Sequence, residues 1–278
     1  MFINRRIIFK LTLLVLVSLL SIKLGLAQTG NCASIIQGNS LPDLIVDGKR
    51  LKADLILSTE KFAQTACAVV EGCVSSRGTH LVLRFSSSTP NVGLGDLVIG
   101  DPKLCLNLFK LSECHNHLHF KEYSDYRLWT QVGFNNWTIN RNLNQPTNTG
   151  TNATLLAAAV QNGDLILGRK QGFCIIDVER YSLGAPATKK YMTCGAPGVP
   201  GTQGLQVGWT DVYGQSLDCQ YIQIDNLREG TYVLEDHVNP EQLLPESDYT
   251  NNSSAVQFYF TPKHAKTPAS IGDAIVLP

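Results

Sequence analysis

From residue 41 onward the chain runs as short stretches of alternating or continuous apolar residues, separated by clusters of Gly, Pro, Asn and Asp. Residues 41–46, 81–85, 96–99, 126–132, 164–167, 173–178, 221–224, 231–238 and 255–260 carry this pattern. Period-two patterning bounded by turn residues predicts strands, and no long stretch keeps a helical period. The expected fold is all-β, an antiparallel β-sandwich with long loops and little helix. Two stretches break the rhythm: residues 135–154, rich in Asn and Thr, and 195–208, rich in Gly and Pro, both read as long loops.

The pattern is different ahead of residue 28. Arg5, Arg6 and Lys10 precede an apolar run over 11–22, followed by Gly25-Leu26-Ala27 before Gln28. This describes a secretory signal peptide over residues 1–27, leaving 28–278 as one domain. Lys23 closes the run too early for a comfortable membrane span. A secreted, extracellular protein without stable membrane association after cleavage is the expectation. Eight cysteines behind such a segment read as disulfides, and only Cys67 and Cys73 are close enough to suggest a local loop. Basic and acidic residues number 23 each, so no net charge draws the chain to nucleic acid. Asn136-Trp137-Thr138 and Asn152-Ala153-Thr154 are glycosylation sequons.

Candidate chemistry is concentrated in His115-Asn116-His117-Leu118-His119. On a strand, residues 115, 117 and 119 share one face within reach of a single ion, while Cys114, Asn116, Leu118 and Phe120 face into packing. Three imidazoles with coordination positions left open suit catalytic zinc or a tetragonal copper(II) centre better than a closed structural site. A zinc-activated water would make a hydrolase, and Glu113, Glu122 and Asp125 are the nearby carboxylates, none of which spacing promotes to a base. The blander alternative is a packed polar strand.

Several separated segments fall together in one order. They are Leu41-Pro42-Asp43-Leu44, Cys114 to His119, Gly168-Arg169-Lys170-Gln171-Gly172-Phe173-Cys174, Asp211-Val212-Tyr213-Gly214, Leu217-Asp218-Cys219-Gln220, Val238-Asn239-Pro240 and Pro245-Glu246-Ser247-Asp248-Tyr249-Thr250-Asn251-Asn252. This ordered set resembles the catalytic domain of the lysyl oxidase family across nearly all of 28–278. The resemblance implies a copper amine oxidase whose lysine tyrosylquinone cofactor is built from its own side chains, turning primary amines, peptidyl lysine among them, into aldehydes with release of ammonia and hydrogen peroxide. Carried over by position, His115, His117 and His119 would bind copper, and Lys170 and Tyr213 would form the cross-link. Asp43, the carbonyl of Leu44, Glu246, Asp248, Asn251 and Asn252 would bind calcium, whose preference is for many hard oxygen ligands.

The same resemblance implies Cys67–Cys73 and Cys114–Cys194 bridges; the family partners of Cys174 and Cys219 are missing here, so the pairing of Cys32, Cys105, Cys174 and Cys219 stays open, with Cys174–Cys219 and Cys32–Cys105 as one way to account for them. Trp209 stands where the family has a cysteine, and Asp125 where it has a histidine sometimes considered as a base, so the base stays open. Before copper uptake, Lys170 and Tyr213 are expected well apart. Two other functions fit parts of the pattern. A non-enzymatic extracellular β-sandwich that keeps the metal sites is one, since the closing motif also resembles small adhesion-type Ig-like modules; a zinc hydrolase on the same histidines is the other.

Overall fold

The computed structural model describes residues 40–170, 172–263 and 267–278, with no side-chain description at 104 and 105. The expected signal peptide and the expected Cys32–Cys105 bridge lie outside the described residues. Among the described residues, no helix is long and apolar enough to cross a membrane.

Strands dominate, and every ladder is antiparallel. In chain order they are β1 (Ile56–Phe62), β2 (Gly78–Arg84), β3 (Ser87–Pro90), β4 (Leu97–Gly100), β5 (Phe109–Ser112), β6 (His117–Lys121), β7 (Ser124–Thr130), β8 (Leu165–Leu167) and β9 (Gly172–Phe173). There follow β10 (Glu179–Arg180), β11 (Gln203–Leu205), β12 (Trp209–Tyr213), β13 (Tyr221–Gln223), β14 (Gly230–Val238), β15 (Ser253–Thr261), β16 (Ser270–Ile271) and β17 (Ile275–Val276). One six-stranded sheet runs β16-β15-β14-β7-β8, with β17 also on β15. Four small sheets accompany it: β1-β2-β13, β10-β12-β3, β11-β4 and β5-β6-β9. Residues 41–46 form no strand of their own, although Ile45 and Asp47 donate backbone bonds to Pro90 and Ser88 along β3.

All five sheets feed one apolar core, through Leu83, Ile99, Phe120, Leu128, Phe173, Leu205, Trp209, Leu234 and Phe258 among others. The all-β reading therefore holds, with several sheets sharing the burial.

The expected loop over 135–154 is largely helix. Beside the short α1 (Gly48–Ala53) and α2 (Cys67–Val70), the chain forms α3 (Gln131–Asn140) and α4 (Gly150–Asn162). The cause lies in the large sheet, whose strands are buried on both faces. On β14, Tyr232 and Leu234 enter the main core, while Val233 joins Trp129, Phe134, Trp137, Ala159 and Leu165 on the opposite face, under the helices. Local signals agree with the outcome: Thr130 Oγ1 caps α3 by accepting the Gly133 N–H at 3.0 Å, and Gly163 ends α4 at φ 77°. Asn152 is buried and bonded to the backbone of Asn142 and Gln145, which closes that sequon; Asn136 is exposed.

The expected bridges are replaced by Cys67–Cys114, Cys73–Cys219 and Cys174–Cys194, with Cα separations of 5.8, 5.3 and 5.2 Å. Cys73 packs with Phe62, Val82 and Tyr221 in a small core that also holds Cys219, so these two meet. Cys67, at the other end of α2, is left to meet the turn after β5. Cys174 follows β9, which pairs with β6 at Phe120, and Cys194 precedes Gly195, whose carbonyl accepts the Leu118 N–H at 2.9 Å. Both therefore flank the same strand and bond each other rather than Cys219 and Cys114.

Beneath the helices, Glu235 accepts from the indoles of Trp129 and Trp137 at 3.0 and 3.3 Å and from Arg141 at 2.8 Å, and lies 3.6 Å from Arg127. Burial pushes its carboxyl up, but Arg127 and Arg141 outweigh that and hold it below the usual value. Glu235→Gln leaves the fully buried Arg127 with Asp125 as its one remaining anion, and should destabilise the fold by about 3–5 kcal/mol. Urea unfolding checks this; an unchanged midpoint would show that Asp125 alone balances the cation.

Candidate metal and amine site

The histidines sit on a hairpin. Strands β5 and β6 pair Ser112 with His117 and Lys110 with His119, joined by residues 113–116, with Asn116 at φ 52° in the left-handed region that asparagine tolerates. His117 and His119 thus share one strand face, whereas His115 belongs to the turn rather than to the strand as expected. The turn nevertheless brings it back, aided by a bond from its N–H to Ser112 Oγ at 3.2 Å. One ligand nitrogen from each ring lies within 4.8 Å of the others, and the Nε2 atoms of His117 and His119 are 2.8 Å apart.

Burial, followed by the neighbouring His117, Lys170 and His115, presses His119 down to about 3. Burial and His115 lower His117 as well. Both rings are therefore neutral near pH 7, the form that binds a metal. The donor set fits one copper or zinc ion.

Lys170 and Tyr213 are not well apart. Lys170 Nζ stands over the Tyr213 ring, 4.8 Å from its centroid, and donates to the Asp218 carbonyl at 3.4 Å. The separation expected before copper uptake is not found, because this amine is buried and held beside the ring. Burial lowers its pKa, offset by Glu71, Asp211 and Asp218. The Tyr213 hydroxyl accepts the Cys174 N–H at 2.7 Å and donates to the Cys174 carbonyl at 2.9 Å, while its ring meets Phe173 edge-on at 4.8 Å. Burial, then Asp211, raises the phenol well above its ordinary value.

Gly172 links the two groups. A Cβ there would lie 3.2 Å from the Cβ of His119, so the absence of a side chain lets β9 approach the histidine strand β6 closely. His119, Lys170 and Gly172 line one cavity of about 470 Å³, together with Glu71, Glu113, Glu122 and Arg169. Asp125 is elsewhere, paired with Arg127 at 3.0 Å. Two acids near the site escaped the sequence reading. Glu71 lies between Cys67 and Cys73 and is legible only once their partners are known. Asp211, buried with its Oδ2 unpartnered among the described residues, precedes Tyr213 by two on β12, a spacing that period-two alternation could have flagged.

The second oxygen cluster also assembles in part. Asn251 Nδ2 donates to Asp43 at 3.0 Å, and Asn252 Nδ2 to Glu246 at 2.7 Å, while Glu246 also accepts the Leu44 N–H. The amide oxygens of Asn251 and Asn252 are buried with no donor among the described residues. Orphaned hard oxygens beside two carboxylates fit calcium. Asp248 instead turns Oδ1 to the N–H and hydroxyl of Thr250, both at 2.7 Å.

With this geometry established, the comparisons agree with one another. Residues 155–269 match the family model described as lysyl oxidase, and the chain is 29% identical to Homo sapiens protein-lysine 6-oxidase over 235 residues, 81% of this chain and 47% of that protein. The chain is similar to the lysyl oxidase family. Bos taurus lysyl oxidase homolog 1 is 27% identical, with 83% of this chain and 34% of that protein covered. Danio rerio lysyl oxidase homolog 2A is 28% identical, with 79% and 26% covered. The chain thus spans about half or less of the length of these relatives.

Two outcomes test the metal positions. Replacing His115, His117 or His119 singly by Ala should abolish copper retention while leaving the thermal midpoint within a few degrees, because the core and disulfides carry the fold; full copper content in all three variants would refute the ligand set. Burial also raises Glu246 to about 7 in the metal-free chain, so a proton competes with the ion below that pH. Calcium should therefore raise the melting temperature at pH 8 and progressively less below pH 7, the gain reaching about 2.7 kcal/mol at one hundred times Kd. A pH-independent gain would place the ion elsewhere.

Proposed function

We propose that this chain is a secreted copper amine oxidase that converts primary amines, lysine side chains of proteins among them, to aldehydes, with a lysine tyrosylquinone made from Lys170 and Tyr213. The observation that carries this reading is the buried amine of Lys170 standing 4.8 Å from the centre of the Tyr213 ring, beside three histidines able to share one ion. A zinc hydrolase has no use for that pairing, and neither has a non-enzymatic binding module. The relatives named protein-lysine 6-oxidase support the same reaction class.

His115, His117 and His119 would hold copper, whose redox chemistry zinc lacks. Once formed, the quinone supplies a carbonyl electrophile and a two-electron acceptor, so that amine, dioxygen and water become aldehyde, ammonia and hydrogen peroxide. The chain's own residues prepare this. Burial disfavours the ammonium form of Lys170 and so favours the nucleophilic amine. The Asp218 carbonyl restrains its nitrogen, and the two bonds to Cys174 keep the Tyr213 ring from turning away. Asp43, the Leu44 carbonyl, Glu246, Asp248, Asn251 and Asn252 would hold calcium, with Asp248 turning inward from Thr250. Calcium there would fasten the segment beside β3 to the loop before β15.

Copper and oxygen supplied to the metal-free protein should generate a cross-linked Lys170–Tyr213 peptide detectable by mass spectrometry, together with amine-dependent peroxide. Its formation should accelerate with pH and level off below the ordinary lysine range, following the lowered pKa of Lys170. Lys170→Ala and Tyr213→Phe should lose both signals. Amine-dependent peroxide from Tyr213→Phe would refute the proposal.

A further inference from the structure

Glu71 is the residue that caps the end of α2, between two cysteines bonded to different segments: Cys67 to Cys114 in the histidine turn, and Cys73 to Cys219 beside Asp218. Its Oε1 accepts the Ser112 hydroxyl at 2.6 Å. Its Oε2 lies 3.8 Å from the Sγ of Cys219, and a disulfide sulfur has no proton to give. Among the described residues that oxygen has no hydrogen-bond donor. Glu71 is exposed and lines the cavity whose other walls include Lys170 and His119. Glu113 and Glu122 line it too, but neither is held by a protein hydrogen bond among the described residues. Glu71 is therefore a fixed carboxylate with one oxygen free, at the entrance to the buried amine.

We propose that Glu71 receives the ammonium group of the amine substrate, the free Oε2 binding the terminal –CH2–NH3+ beside Lys170 and His119. This rests on the amine-oxidase reading and adds a specificity residue to it. A lysine-like amine reaches the protein protonated at neutral pH, and a carboxylate already held in place meets it with little reorganisation. Ser112 pairs with His117 across the hairpin, so the same bond that fixes Glu71 fixes its position relative to the metal ligands. Past Cys73 and Arg169 the cavity adjoins a second cleft of about 820 Å³ lined by both of those residues, by β8 and by β13. The remainder of a larger lysine-bearing chain has room to lie there.

The test compares n-pentylammonium with neutral 1-pentanol, by ligand-observed NMR on metal-free protein and, for n-pentylamine, by peroxide release from copper-loaded protein. Wild type should prefer the ammonium. Glu71→Gln, which keeps an acceptor for Ser112, should lose that preference by about tenfold with alcohol binding unchanged. In loaded protein the same variant should raise KM by a similar factor and change kcat less. Glu113→Gln should leave the preference intact. No ammonium preference in wild type, an undiminished preference in Glu71→Gln, or its loss in Glu113→Gln would each overturn the assignment. The binding arm needs no quinone, so wild-type protein that binds the ammonium but releases no peroxide would sink the oxidase reading and leave the ammonium site standing.

Discussion

The hydroxyl of Tyr213 gives its proton to the carbonyl of Cys174 and takes one from the N–H of the same residue, and the arrangement of the site follows from that clasp. It sets the ring at a fixed depth against Phe173 and leaves its open face to Lys170. Cys174 can serve as an anchor because β9, immediately before it, is paired to the histidine strand β6, and because its own sulfur is tied to Cys194. The tyrosine, the lysine and the histidines are thus referred to one short piece of backbone. Gly172 completes the arrangement by removing the one side chain that would hold β9 off His119.

Much of this was legible in the sequence, but unevenly. Alternation along β6 places His117 and His119 on one face. The return of His115 needed a left-handed Asn116, which alternation does not encode. The lysine and tyrosine carry no local signal at all, since a lysine before a strand is ordinarily a solvated charge; only the ordered motifs singled them out. Their closeness came from burial, which holds a side chain that would otherwise move freely.

The misread parts have a common physical origin. Reading strands as half-exposed fits β1, but β14 and β7 are covered on both sides, and the second cover had to come from somewhere. The Asn- and Thr-rich stretch supplies it, because Trp137 and Phe134 outweigh its weak helical composition. The disulfides were misassigned for a related reason. Nearness along the chain favoured Cys67 with Cys73, whereas α2 turns those residues toward different neighbours, one into a small core and one toward the histidine turn.

The cross-links that resulted enclose chain segments of very different lengths, 20, 47 and 146 residues apart in sequence. Residues 181–184, with Leu183 fully in solvent, fall inside two of those loops at once, Cys174–Cys194 and Cys73–Cys219. A protease that severed the backbone there would not part the molecule. Before Lys170 and Tyr213 are joined, the nicked protein would migrate as one species until reduced, with the two residues on separate polypeptides yet still beside each other; after they are joined, reduction alone would no longer part the halves.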